Sequence, residues 1–226
     1  MAMLEVKDLN VYYGMIQAIK GISFEVNQGE VIALIGANGA GKTTTLHAVT
    51  GLTPVKSGHI FFEGKDITKV PAHKIVSMGM AHVPEGRRVF AQLSVYQNLK
   101  MGAYTRKDKD EIRQTLDMVY EHFPRLEERK NQMAGTLSGG EQQRVAIARA
   151  MVNRPSYCWP MSTGNLDPST SVGIMRLLDR INRQGTTVVM ATHDDEIVDQ
   201  MRKRVIELEE GHVVRDQARG VYGSNR

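Results

Sequence analysis

Residues 36 to 43 follow the pattern Gly-x-x-x-x-Gly-Lys-Thr, in which glycines, a lysine and a hydroxyl group occupy fixed positions. Glycines let backbone N–H groups turn inward around a phosphate chain, and a helix that starts there adds positive potential. Lys42 can neutralise β- and γ-phosphates, and Thr43 can ligate Mg²⁺. The pattern predicts a nucleoside triphosphate site; a glycine-rich turn without a ligand is the alternative. The predicted contacts are Gly36, Asn38, Gly39, Gly41, Lys42, Thr43 and Thr44.

A buried strand and a helix are expected on either side of this loop. Val31–Ile35 is a short apolar run, which is typical of a strand covered on both faces. Residues 43–50 are predicted to be helical. The strand–loop–helix order is the context in which the phosphate-binding pattern is most specific.

A second motif, Leu137-Ser-Gly-Gly-Glu-Gln-Gln-Arg144, precedes a predicted helix over 142–153. Ser138 is a good N-cap, and the following glycines expose backbone N–H groups at the helix start. The motif therefore predicts a second anion site, with an ordinary N-capped helix as the alternative. Together the two motifs resemble the ATP-binding subunits of ATP-binding cassette (ABC) transporters.

This resemblance implies two ATP molecules sandwiched in a head-to-tail dimer, either a homodimer or a pair with a paralogous ABC subunit. Ser138, Gly139, Gly140 and Glu141 would then meet the nucleotide held by the partner's phosphate loop. The family also implies Mg²⁺ as cofactor and a membrane permease or a division-complex subunit as partner.

Four further positions match the family's site residues. Tyr13 resembles the aromatic residue that stacks on adenine, although the adjacent Tyr12 could take that place. Glu85 lies where most members carry a glutamine that touches Mg²⁺ and the attacking water, and His193 resembles the histidine that contacts the γ-phosphate. Asp167 resembles a residue of the loop that crosses the dimer interface, and it also suits the N-cap of the next helix. The resemblance thus implies catalytic roles for Glu85 and His193.

The chain departs from the family where a hydrophobic strand normally ends in Asp-Glu. No carboxylate occurs over 156–165, and the stretch is shorter than the family's by a single residue. Depending on the alignment, Met161 and Ser162, or Pro160 and Met161, take the acidic places. Pro160 removes a ladder donor and Trp159 is larger than the usual leucine, so a poor strand is expected. ATP binding is predicted to survive and hydrolysis to be strongly impaired.

The resemblance is uneven along the chain. Residues to about 135 look like branched-chain amino acid importer subunits, as in Val83-Pro-Glu-Gly-Arg-Arg-Val-Phe90. Residues from about 137 look like the cell-division ABC ATPase, as in Met190-Ala-Thr-His-Asp194. We therefore expect a subunit that couples ATP to a membrane partner, with branched-chain amino acid import as the first interpretation. The alternatives are a division subunit, a non-hydrolysing ATP-dependent dimerisation module, or a non-functional recombinant.

Composition excludes several other classes of protein. Of 226 residues, 41% are hydrophobic and 24% charged, as in a folded globular chain. The net charge of +4 is scattered, so no nucleic-acid partner is implied. The chain has no run of about 18 apolar residues and no secretory leader pattern, and a lone cysteine fits a reducing compartment. A cytoplasmic location, on the inner face of the membrane through a partner, is expected.

Alternation of apolar runs with helical patterns predicts an α/β fold with a mainly parallel sheet. The resemblance adds a P-loop NTPase core, an N-terminal antiparallel β portion and an inserted helical subdomain. A single domain over 1–226 is expected, with core 1–90 and 156–226 and helical part about 91–155. Amphipathic spacing marks the helical part at Leu99, Ile112, Leu116, Val119 and Leu126.

The origin of the altered strand is testable in the gene. Tyr157-Cys-Trp-Pro-Met-Ser162 can be encoded TAC-TGC-TGG-CCG-ATG-AGC, and a shift back by a single base reads Leu-Leu-Leu-Ala-Asp-Glu. We hypothesise a compensated frameshift, which also accounts for the shortened stretch. Sequencing of the coding DNA should show these codons, and codons incompatible with the shifted frame would exclude the hypothesis.

Overall fold

The computed structural model describes residues 2–84, 86, 88–160, 168–192 and 195–220, with the backbone alone for 159–160, 168 and 195–197. The strands are β1 Ala2–Tyr13, β2 Ile16–Asn27, β3 Val31–Ile35, β4 Ser57–Phe62, β5 Lys65–Asp66, β6 Met80–Val83, β7 Tyr157–Pro160, β8 Thr187–Ala191, β9 Arg204–Glu209 and β10 His212–Gln217. The helices are α1 Lys42–Val49, α2 Ala72–Ser77, α3 Val95–Gly102, α4 Lys109–His122, α5 Pro124–Glu128, α6 Gly139–Met151, α7 Pro168–Arg183 and α8 Asp195–Met201, with a 3-10 turn at Ala134–Thr136.

The larger sheet is mainly parallel, as predicted. Its strand order is β10-β9-β3-β8-β7-β6, and only the β9–β10 hairpin is antiparallel. All five residues of β3 and all five of β8 are buried, which explains why both strands are continuous apolar runs. The predicted strand at Val31–Ile35 is confirmed to the residue.

A smaller antiparallel sheet, with the order β2-β1-β4-β5, forms the predicted N-terminal β portion. Alternate residues of β2 are buried, as expected for a sheet with one covered face. That face shares a hydrophobic cluster with Leu46 and Val49 of α1 and with Ile32 and Leu34 of β3. Helix α1, which begins at the phosphate loop, therefore packs in the core that joins the two sheets.

The predicted helical part, about 91–155, contains α3, α4, α5, the 3-10 turn and the signature helix α6, and its predicted apolar positions lie inward. Leu99, Leu116, Val119 and Leu126 are buried, and Ile112 packs against the same cluster. Asp108 caps α4 by accepting from the N–H groups of Asp110 and Glu111. The same cluster contains residues of α6 and α7 and of strands β6, β7 and β8, so this part packs against the parallel sheet. The proposed division of the chain into core and subdomain remains a prediction.

Helix α6 begins earlier than the sequence pattern predicted, at Gly139 instead of residue 142. Ser138 is its N-cap and accepts from the N–H of Glu141. The two glycines therefore belong to the first turn of the helix, because the cap lies before them and not after them.

The altered stretch forms a strand despite its composition. Tyr157 and Cys158 are fully buried, and the ring of Tyr157 lies edge-on to Phe62, with 6.0 Å between centroids. β7 pairs with β6 along all four of its residues, but its register with β8 covers only Tyr157 and Cys158. Burial at the first two positions secures the strand, and the ladder to β8 stops before Pro160, which has no N–H to donate.

Candidate nucleotide-binding site

The phosphate loop connects β3 to α1 and is braced by distant parts of the chain. A Cβ at Gly36 would overlap the carbonyl oxygen of Leu208 on β9, so only glycine fits there. The N–H of Gly211 donates to the carbonyl of Ala40 at 3.1 Å, and the N–H of Lys20 donates to the carbonyl of Gly211 at 2.9 Å. The loop is thus held by both sheets, which fixes the direction of its backbone N–H groups.

The start of α1 is open to an anion. Its N-cap is Gly41, in the left-handed conformation with φ 107°, and no side chain caps the helix. The first turn contains no acidic residue. The positive end of the helix dipole therefore faces the loop without a carboxylate in the first turn, as a phosphate chain requires.

Lys42 spans the mouth of the loop. Its Nζ donates to the carbonyl oxygens of Gly36 at 2.5 Å and Ala37 at 2.9 Å. Asn38 and Gly39 lie at the exposed tip of the same loop. The ammonium group is therefore positioned over the turn into which the predicted phosphates would fit.

The hydroxyl residues after Lys42 differ in their surroundings. The side chain of Thr43 is exposed in the first turn of α1, and Thr44 is half-buried. The Mg²⁺ contact of Thr43 remains a prediction. Within the described ranges, no cluster of three or more His, Cys, Asp or Glu residues could hold a metal ion.

The two candidate adenine-stacking residues end β1 close to the phosphate loop. Tyr12 is 38% exposed and Tyr13 is 49% exposed, so both rings offer a free surface. The β1–β2 hairpin reaches the loop through Ile19, whose Cδ1 lies 2.6 Å from an ideal Cβ at Gly41. The hairpin therefore approaches the phosphate loop, and the adenine-stacking role of Tyr13 or Tyr12 remains a prediction.

The signature motif lies at the start of α6. Ser138 and Glu141 form a capping box: the Ser138 N–H and Oγ both donate to Oε2 of Glu141, at 3.0 Å and 2.8 Å. Gly140 faces Thr170 on α7, whose Cγ2 lies 2.6 Å from an ideal Cβ at position 140. The predicted roles of Ser138, Gly139, Gly140 and Glu141 toward a partner's nucleotide remain predictions.

Three predicted site residues, Glu85, Asp167 and His193, lie outside the described residues. The last residues of β7 precede the stretch where the family has its acids. Sequence reasoning also missed Arg129, whose Nη1 lies 3.4 Å from Oε1 of Glu141. The pattern Ser-x-x-Glu signals a capping box in the sequence, but no local pattern signals the arginine.

A groove of about 960 Å³ lies beside Thr43, between α1, β6, α3 and α6. Leu52, Phe90, Met101 and Tyr104 are exposed and line it. The walls of this groove come from segments far apart along the chain, so no local sequence pattern predicts it.

Basic side chains lie among the apolar ones of the groove. Arg149 donates from Nη2 to the carbonyl of Arg88 at 2.7 Å, and its guanidinium group lies 5.1 Å from the centroid of Phe90. Burial lowers the pKa of Arg149. The groove thus combines an apolar surface with positive charge.

Two histidines stand edge-on in the same groove. The rings of His47 on α1 and His82 on β6 have centroids 5.7 Å apart. Burial, and to a smaller extent the charge of His47, lowers the pKa of His82 to about 4, and burial lowers the pKa of His47 as well. The Nε2 of His82 has no hydrogen-bond partner in the part of the chain that the structure describes. His82 is therefore neutral at physiological pH.

Comparison with known proteins connects these features. A family model described as ABC transporter matches residues 19–158. The high-affinity branched-chain amino acid transport ATP-binding protein BraG of Pseudomonas aeruginosa is 41% identical over 214 residues, covering 94% of this chain and 91% of that protein. The cell division ATP-binding protein FtsE of Mycobacterium tuberculosis is 42% identical over 213 residues, covering 92% of each chain.

A solved structure supports the same fold. The dimeric post-hydrolysis state of the ATP-binding cassette MJ0796, bound to ADP and Pi, superposes with a TM-score of 0.84 at 27% identity, over 97% of this chain and 100% of that one. Among the described residues, no helix has both the length and the apolar character needed to cross a membrane.

The buried histidine predicts acid sensitivity. Because the pKa of His82 is lowered from 6.5 to about 4, the unfolded chain binds the proton more readily. The neutral form of His82 contributes about 3 kcal/mol to the free energy of unfolding above pH 6.5, and this contribution is lost as the pH falls toward 4. Denaturant unfolding from pH 7.5 to 4.5 should show a shallower loss for His82→Phe than for the unaltered chain. His73→Gln, at an exposed histidine, is the control, and identical slopes for all three proteins would contradict the assignment.

Proposed function

This chain belongs to the ABC transporter family, and we propose that it binds Mg²⁺-ATP, pairs through it with a second ABC subunit, and hydrolyses it only very slowly. The observation that supports ATP binding is the N-terminus of α1 at the phosphate loop, which has no side-chain cap and no acidic residue in its first turn. The observation that carries the slow hydrolysis is the absence of any carboxylate over 156–165.

The phosphate half of the site has all the groups that binding needs. The braced loop presents N–H groups, Lys42 supplies a cation, and Thr43 supplies a hydroxyl ligand for the metal ion. Tyr13, or Tyr12 beside it, offers a ring for the base. Mg²⁺ would be held by Thr43, Glu85 and the phosphates, and would neutralise charge on the β- and γ-phosphates.

The hydrolytic half lacks its central groups. In the family, the strand equivalent to β7 leads into an aspartate that orders Mg²⁺ and a glutamate that positions or activates water. Here Met161 and Ser162 follow Pro160, and neither can accept a proton from water at neutral pH. His193 and Glu85 are the remaining candidates for contact with the γ-phosphate and the attacking water.

We propose that this groove binds a membrane permease and that this contact holds the chain at the membrane surface. It has exposed apolar side chains and the guanidinium groups of Arg88 and Arg149, which suit an amphipathic segment that carries a carboxylate. Most of its lining precedes residue 105, in the part of the sequence that resembles branched-chain amino acid importers. We therefore favour an importer permease as the partner. A division-complex subunit is the second candidate, because the chain is also similar to FtsE.

ATP binding and hydrolysis can be separated in one comparison. The purified chain should bind Mg²⁺-ATP, and Lys42→Ala should abolish that binding. In single-turnover assays, a variant with Leu-Leu-Leu-Ala-Asp-Glu-Pro in place of residues 157–162 should hydrolyse ATP faster by about 10²–10⁴-fold, since it regains the water-positioning acid. A turnover of about one per second or more by the unaltered chain, an ordinary enzyme rate, would refute the impairment.

The partner can be tested by co-purification with the permease subunits of a branched-chain amino acid importer and, separately, with the membrane subunit of a division complex. The importer permease should be retained. Tyr104→Asp, which puts a charge on the apolar rim of the groove, should reduce retention at least about tenfold. Val214→Asp, at a similarly exposed apolar side chain on β10, is the matched control. Retention of the division subunit alone would overturn the importer assignment.

A further inference from the structure

The two helix starts that the proposed site would use differ in one respect. The start of α1 has no side-chain cap and no acidic residue in its first turn. The start of α6 is closed by its own carboxylate, because one oxygen of Glu141 accepts from both the N–H and the hydroxyl of Ser138. The hydroxyl that would donate to a partner's phosphate already has an anionic acceptor, at 2.8 Å.

A cation stabilises this carboxylate. The other oxygen of Glu141 lies 3.4 Å from Nη1 of Arg129, and the Glu141 side chain is only 18% exposed. Burial raises the pKa of Glu141, but hydrogen bonds from Ser138 and the charges of Arg129 and Arg125 outweigh it, so the pKa lies below its usual value. Glu141 is therefore ionised at neutral pH.

We propose that Glu141 is a built-in competitor of the nucleotide, which occupies the donors of Ser138 until the phosphate of an opposing subunit displaces its carboxylate. Glu141 is a positioning residue in this scheme, because it acts through the serine, and Arg129 is its counter-charge. The inference rests on the proposed function, since it concerns the ATP-dependent pairing of subunits.

The physical reason is competition between two anions for one set of donors. A carboxylate a few ångströms from an incoming phosphate repels it, and the charge-assisted bond from Ser138 must break before the serine can donate elsewhere. A glutamine at position 141 would keep the capping box, because its amide oxygen accepts from the same donors. It would remove the negative charge, so this single substitution separates the capping hydrogen bonds from the electrostatic competition with a phosphate.

The test is ATP-dependent dimerisation of the full chain, followed by sedimentation velocity at several protein concentrations. Glu141→Gln should pair at a concentration at least about tenfold lower than the unaltered chain, since each dimer has two such sites. A carboxylate with a merely structural capping role predicts the opposite sign, because the neutral residue caps the helix less well. Glu121→Gln makes the same charge change on an exposed carboxylate of α4 and should leave pairing unaltered.

Substitution of Arg129 provides an independent test of the competitor role. Arg129→Gln removes the counter-charge without touching Ser138, so the uncompensated carboxylate should weaken pairing severalfold. That effect should vanish in the Glu141→Gln background, because there is no longer a charge to compensate.

The outcomes distinguish the competitor role of Glu141 from the proposed ATP-dependent dimerisation. Pairing of the unaltered chain with ATP, together with equal or weaker pairing of Glu141→Gln, would overturn the competitor role alone. Failure of every variant to pair while ATP still binds would overturn the proposed dimerisation and the competitor role with it.

Discussion

The close contact between the phosphate loop and the β9–β10 hairpin is the constraint on which the nucleotide site depends. Gly36 lies against the carbonyl of Leu208, and Gly211 donates to Ala40 while accepting from Lys20. These contacts join the loop to strands of both sheets. The helix behind the loop packs in the cluster between those sheets, so the direction of its open N-terminus follows from the packing of the whole core. An anion site made of backbone groups needs this rigidity, since N–H groups that move cannot converge on one ligand.

The same electrostatics of helix ends explains the contrast between α1 and α6. A helix start with free N–H groups attracts anions, and a protein can leave that position to a ligand or fill it with a carboxylate of its own. Helix α1 has no side-chain cap, whereas at the start of α6 the N–H and the hydroxyl of Ser138 already donate to the carboxylate of Glu141. Phosphate binding would take the Lys42 ammonium from the carbonyls of Gly36 and Ala37, and assembly of a two-subunit site would also take the Ser138 hydroxyl from Glu141.

The altered stretch still forms a strand of the sheet although its sequence departs from that of the family. The hydrophobic clusters require bulk at the first two positions of β7, which Tyr157 and Cys158 provide. Hydrolysis depends instead on the side chains that follow the strand, where the family has its two acids. The residues whose burial secures the strand therefore precede those in the places of the acids, and β7 pairs with β6 without a carboxylate at its end. The lone cysteine, fully buried here with its pKa raised by burial to about 12, serves packing and not redox chemistry.

Local features of this protein could be predicted from its sequence. The buried strands β3 and β8, the glycine-rich loop, the amphipathic helices of the middle segment and the serine cap of α6 depend on residues within a few positions of one another, where periodicity and backbone chemistry are decisive. The lack of the two acids can also be read from the sequence, because recognising that a residue type is absent from a stretch does not require the structure. Tertiary structure alone decided which distant groups meet: Leu208 against Gly36, Arg129 beside Glu141, and His47, His82 and Arg149 around one groove. Such contacts arise when remote segments pack to bury apolar surface, and no local pattern in the chain encodes which segments will be neighbours.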